Sequence, residues 1–215
     1  MNIQSHLLMA MEMEKHIKEK YRLELRWNLF YYGNIRPDLT PRGEKKAPHT
    51  FKDSLPVFMR HCNYLSNRSQ LTRPALSLMS FRLGLLLHYT ADFFTYSHHD
   101  EVLFGQTMAH FKYENVLLET LWKETRRDPL LPSPVGKRLD AFMFEVLKQY
   151  DQGPHSPARD ADYIFQVSQV VCDRIIERIY LEKAFRESTL KKYAVQVRQL
   201  HPIQTIKEGV TRHAP

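Results

Sequence analysis

Cysteine is nearly absent from this chain. Cys62 and Cys172 are the whole supply in 215 residues, too few and too far apart for a disulfide framework or a thiolate metal site. Each reads as a small core residue. Long apolar runs are also missing. The most apolar stretch, Leu83 to Phe94, is too short to span a bilayer and carries His88 and Asp92. No basic segment followed by an apolar run opens the chain, so a secretory leader is not expected. That reading makes the protein soluble and cytoplasmic, with secretion left open only for a trimmed N-terminus. A dedicated basic stripe is lacking too. The formal net charge is +7, but its lysines and arginines are scattered, with short clusters at Arg42 to Lys46, Arg126-Arg127 and Lys191-Lys192. The charge favours anionic partners such as phosphate esters, acidic lipid surfaces or nucleic acid, and nucleic acid is the weakest of these without a stripe.

Alternating strand patterns are absent as well, and helical periodicity takes their place. Ser5 is placed as the cap of a first helix from about His6 to Trp27. Residues 31–50 hold two glycines and three prolines and read as a loop. Phe51 to Asn67 reads as the second helix. A third starts at Pro74, a favoured first-turn residue, and runs to about Thr95. It is apolar nearly all round, which predicts a central buried helix. Further helices are expected at Met108 to Thr125, Lys137 to Tyr150, Asp160 to Leu181 and Glu182 to Leu200, with a proline-bearing loop at 128–134. Ile164, Val167, Val171 and Ile175 share one face of the penultimate helix. The chain is therefore read as one all-α domain over residues 1–215, of six or seven helices, ending in a loose tail after His201.

Two short motifs stand out: His88-Tyr-Thr-Ala-Asp92 and His110-Phe-Lys-Tyr-Glu114, with His98 between them. Residues four apart share a helix face, so each pair can aim an imidazole and a carboxylate at one point. Neutral imidazole plus carboxylate is a ligand set for zinc and its neighbours. A buried ionised carboxylate is costly unless paired or metal-bound. One motif alone would be an ordinary hydrogen-bonded core pair, but two with a third histidine between them favour a metal. Upstream candidates are His6, at the start of the first helix, and Asp38 and His49, in the loop. Taken singly, His6 and His49 would read as surface histidines, and Asp38 after Pro37 as a turn former.

The order Ser-His-Leu, Gly-Asn-Ile-Arg-Pro-Asp, His-Thr-Phe, His-x-x-x-Asp, His and His-x-x-x-Glu resembles the bacterial zinc-dependent phospholipase C family, relatives of the S1/P1-type zinc nucleases. The likeness spans roughly residues 5 to 114. It implies a compact multi-helix fold and hydrolysis of a phospholipid or other phosphodiester by a metal-bound hydroxide. It also implies two or three Zn2+ ions and transient contact with a membrane surface. One zinc would be held by Asp38, His49, His88 and Asp92, and a second by His98, His110 and Glu114. Asp92 and His6 would share a third. Asp38 would be the catalytic base or orienting group. Secreted members begin at a tryptophan whose amino and carbonyl groups bind the third metal. Here Met1 stands five residues before His6 with no tryptophan near, so that ligand is not carried over. Phe93, Phe94 and Phe104 read first as core, and only second as contacts for acyl chains.

Three other readings compete. A His-Asp-type metal phosphohydrolase would be built on His99-Asp100, but it leaves His6, Asp38 and His110-x-x-x-Glu114 unexplained. A non-catalytic member would bind metal or headgroup without turnover. A nuclease of the sister family would need aromatic base-stacking positions, which the sequence does not display.

Overall fold

The computed structural model describes residues 1–39, 51–66, 72–98, 107–123 and 138–200. Among these residues there is no strand, and the fold is all-α. The helices are α1 (Ile3–Tyr21), α2 (Trp27–Ile35), α3 (Phe51–Ser66), α4 (Arg73–Phe93), α5 (Thr107–Lys123), α6 (Leu139–Asp151) and α7 (Pro157–Leu200), with a 3-10 turn at Tyr96–His98 between α4 and α5. The expected loop at 128–134 and the tail after His201 lie outside the described residues. No helix among the described residues is long and apolar enough to cross a membrane.

Helix α4 is the axis of the molecule. Leu83, Leu86, Leu87, Ala91 and Phe93 are fully buried on it, and α1, α2, α3 and α7 all pack against it. Each such large side chain contributes roughly 1.5–3 kcal/mol on leaving water. Met9, Met13 and Ile17 line the inner face of α1, and Ile164, Val167, Val171 and Ile175 that of α7. Cys62 and Cys172 are buried and free, and burial pushes both thiols up. Neither is a thiolate donor. Phe93 packs on Phe51 and Phe58, and Phe94 on Tyr150 and Tyr163, so both are core. Phe104 lies outside the described residues.

Several boundaries differ from the sequence reading. Asn2, not Ser5, caps α1. Its side chain accepts from the Ser5 N–H at 2.9 Å, and Ser5 is already inside the helix. Helix α1 stops at Tyr21, where Arg22 takes a left-handed φ of 49° and its N–H closes on Lys18 O. Residues 31–35, read as loop, belong to α2. Gly33 is not a breaker there but a contact point. A Cβ on Gly33 would sit 2.2 Å from Phe81 O, and one on Gly84 would sit 2.2 Å from Phe30 O. Two glycines facing one another thus let α2 and α4 cross backbone to backbone. The break expected near Leu181 does not occur, and α7 is one helix through Leu200. Periodicity cannot distinguish one long helix from two abutting ones when no Gly or Pro intervenes.

Candidate metal centre

Five elements bring their polar residues to one end of α4. Helix α1 supplies His6 at its start. The turn after α2 supplies Asp38, whose N–H bonds Ile35 O at 3.2 Å. Helix α4 supplies His88 and Asp92 one turn apart. The 3-10 turn supplies His98, its N–H bonded to Thr95 O at 2.9 Å. Helix α5 supplies His110 and Glu114, again one turn apart. His6, His88 and Asp92 are buried, Glu114 is 4% exposed and His98 8%, while Asp38 keeps 17% of its side chain exposed at the rim.

Asp92 is the hub. Its Oδ2 lies 3.2 Å from His88 Nε2. Its Oδ1 lies 3.3 Å from His6 Nε2 and 3.8 Å from His98 Nε2. On one side, His6 Nε2 is also 3.6 Å from Asp38 Oδ2, and the His6 ring stacks on His88 with centroids 4.1 Å apart. On the other, Glu114 Oε1 lies 3.0 Å from His110 Nε2 and 3.3 Å from His98 Nε2. The donors fall into two triads, His6/Asp38/His88 and His98/His110/Glu114, and within each the ligand atoms lie within 4.8 Å of one another. His49 lies outside the described residues, as do His99 and Asp100 of the competing phosphohydrolase reading.

One histidine is visibly oriented from behind. His88 Nδ1 lies 2.8 Å from the main-chain carbonyl of Asn34. That bond puts the proton on Nδ1 and turns the Nε2 lone pair toward Asp92. The Gly33–Gly84 crossing is what brings Asn34 within reach.

Met1 is the residue that sequence reasoning left out. Its α-amine donates to Asp92 Oδ1 at 2.7 Å, lies 2.6 Å from His98 Nε2, and is 3.3 Å from Glu114 Oε1. The sequence reading discounted this position because no tryptophan is near. The structure brings the amine in regardless, because the donor is a main-chain group and any residue can carry it.

The electrostatics suit cation binding. Burial, followed by the neighbouring His88, lowers the pKa of His6 well below the ordinary value. Burial also lowers that of His98, against the pull of Asp92. Both rings are therefore neutral near pH 7, the form that ligates metal. Burial pushes Glu114 up, but the Met1 amine, His110 and His98 outweigh it and hold the carboxyl well below the carboxylate range. Burial works against charge on the Met1 amine, yet Asp92, Glu114 and Asp38 prevail and raise it to about 10. A pocket that stabilises an ammonium so strongly is negative in its interior. Nδ1 of His6 is buried without a hydrogen bond, although leaving a buried polar atom unsatisfied is costly. Neutral imidazoles and carboxylates converging in threes are a donor set that fits zinc.

Such donors on a helical scaffold make a candidate metal centre of the His/carboxylate type. The model of the zinc-dependent phospholipase C family matches residues 5–165, and the chain belongs to that family. The match runs past Glu114, through α6 and into α7, beyond the segment that carries the motif resemblance. No curated protein and no solved structure matches the chain.

Proposed function

We propose that the protein is a zinc-dependent phosphodiester hydrolase of the phospholipase C type, acting on a phospholipid or a related diester. The observation that carries this reading is the convergence of both triads on the buried Asp92. A lone His–carboxylate pair is ordinary core chemistry, but two triads of donors with members of each facing one buried carboxylate are not. His6, Asp38, His88 and Asp92 would hold one ion, with His49 completing that set. His98, His110 and Glu114 would hold another. Asp92 and, once it has lost its proton, the Met1 amine would hold a third. Zinc bound there supplies Lewis acidity toward phosphate oxygens and lowers the pKa of water toward neutrality.

The remaining roles belong to the chain. Asp38 is the one carboxylate of the set at the rim, so it is placed to take a proton from water as substrate enters. Asn34 fixes the His88 tautomer. Asp92 and Glu114 balance the positive charge that the centre accumulates, and the buried walls keep bulk water from screening it. The net charge of +7 draws anionic esters and acidic lipid surfaces toward the molecule.

The test is elemental analysis of the purified protein together with four substrates, each assayed with and without chelator. Chelator-sensitive cleavage of a chromogenic phosphodiester or of phospholipid vesicles supports the reading. Preference for a monoester, or for single-stranded DNA, replaces it with a phosphomonoesterase or a nuclease. Bound zinc with no turnover of any substrate leaves a binding protein.

A further inference from the structure

A second buried carboxylate lies behind the centre without belonging to it. Asp160, in the first turn of α7, is fully buried. Its Oδ2 accepts from the main-chain N–H of Tyr96 at 2.9 Å and from the Tyr113 hydroxyl at 2.8 Å. Its Oδ1 accepts from the Tyr150 hydroxyl at 2.7 Å.

Where these bonds land is the point. Tyr96 opens the three-residue turn that ends at His98. Tyr113 immediately precedes Glu114 on α5. The Tyr96 ring is also stacked on His155, centroids 4.3 Å apart. A carboxylate that only tied helices together would need no bond to the main chain of a three-residue turn. This one grips that main chain two residues before a donor histidine, and with the same oxygen it grips the residue beside a donor glutamate. Its third bond, to Tyr150 on α6, anchors it to the core.

We propose that Asp160 is a positioning residue for the His98/His110/Glu114 half of the centre. It holds the turn that presents His98 and the helix that presents Glu114 in one fixed relation, and the bonds to Tyr96, Tyr113 and Tyr150 do not reach the His6/Asp38/His88 half. The proposal rests on the zinc reading above and extends it to a residue well past the last donor in the sequence.

Zinc affinity in the full chain tests it, read by competition with a chromogenic chelator and therefore independent of turnover. Two backgrounds isolate the halves: His88→Ala leaves the second half intact, and His98→Ala the first. Asp160→Ala is expected to weaken zinc binding about 10–100-fold in the His88→Ala background, the size usual for losing an outer partner of a ligand. In the His98→Ala background the loss is expected to stay within about 3-fold. Tyr113→Phe deletes one of these bonds and leaves the others to hold the carboxylate. It serves where Asp160→Ala does not fold, and its smaller loss must fall in the same background. Equal losses in both backgrounds, or none in either, reduce Asp160 to a helix tie and overturn the proposal. A wild-type protein that binds no zinc overturns the centre itself, a failure distinguishable from the other.

Discussion

The imidazole of His6 lies on that of His88 with 4.1 Å between ring centroids and 21° between planes. Residues from two helices, 82 positions apart in sequence, thus present Nε2 atoms to opposite oxygens of Asp92. The pair is asymmetric. His88 Nδ1 is held from behind by Asn34 O, whereas His6 Nδ1 is buried without a hydrogen bond. His88→Ala removes an oriented donor together with the stacking partner of His6. It is expected to lower zinc affinity by more than the about 10–100-fold typical of an outer partner and to remove chelator-sensitive turnover. Calorimetric zinc titration and elemental analysis check it. Stoichiometric zinc at wild-type affinity would exclude His88 from the centre.

The crossing of α2 over α4 makes a sharper prediction, because two effects oppose each other. Gly84→Ala improves helix propensity by up to about 1 kcal/mol. Its new Cβ would also lie 2.2 Å from Phe30 O and 3.0 Å from the Asn34 nitrogen. The main chain cannot rotate out of the way as a side chain would, so α2 must move as a unit. Overpacking of this kind costs about 1–3 kcal/mol, and the net result is destabilisation. The displacement also pulls Asn34 O away from His88. A thermal melt should show a lower Tm, and zinc titration a weaker centre. A Gly84→Ala variant with unchanged Tm and unchanged zinc affinity would mean that the crossing plays no part in holding the site.

Much of this was legible in the residues. The spacing of His88 to Asp92 and of His110 to Glu114 carries its own geometry, since a helix turn puts both groups on one side. The all-round apolarity of α4 correctly marks the central helix. What periodicity could not supply is anything set by contact between distant elements. Helix α2 was hidden because Gly33 and Pro37 are turn formers by local statistics, while the close approach of Gly84 makes Gly33 a requirement of packing. The Met1 amine carries no side-chain signature at all. Asp160 looks like an ordinary first-turn acid, stabilising at a helix N-terminus, and only the fold shows that Tyr96, Tyr113 and Tyr150 surround it.

A pH effect separate from the metal centre is expected at His61 on α3. Its Nδ1 lies 3.1 Å from the guanidinium of Arg82, which itself sits over the Tyr64 ring. Burial, then the Arg82 and Arg60 charges, lower its pKa to about 4 from an ordinary 6.5. Between those two values the unfolded chain binds the extra proton and the folded one does not. Stability is therefore complete above about pH 6.5 and falls as the pH drops toward 4. Because His61 is only partly buried, solvent screening reduces the effect to roughly 1–2 kcal/mol. Urea melts from about pH 7 to about pH 4 should show a shallower decline for His61→Gln than for the wild type. Chelator in every sample keeps the donor histidines comparable between the two proteins. Parallel curves would show that His61 is protonated as readily in the folded state as in the unfolded one.

The Met1 amine supplies the prediction with the most practical consequence. It lies within 3.3 Å of Asp92, His98 and Glu114, and Met1 itself is 3% exposed. A peptide bond in its place has one hydrogen instead of three and no charge, and the added chain would start from a residue that is already buried. Placing two residues, Gly-Ser, ahead of Met1 should therefore displace the start of α1 and His6 with it. Zinc affinity is expected to fall at least about 10-fold, as when a ligand loses its support. Removing the extension with a protease that regenerates Met1 should restore it. A chain extended at Met1 that binds zinc as tightly as one starting there would show that the amine is a bystander, and that the side-chain donors alone define the centre.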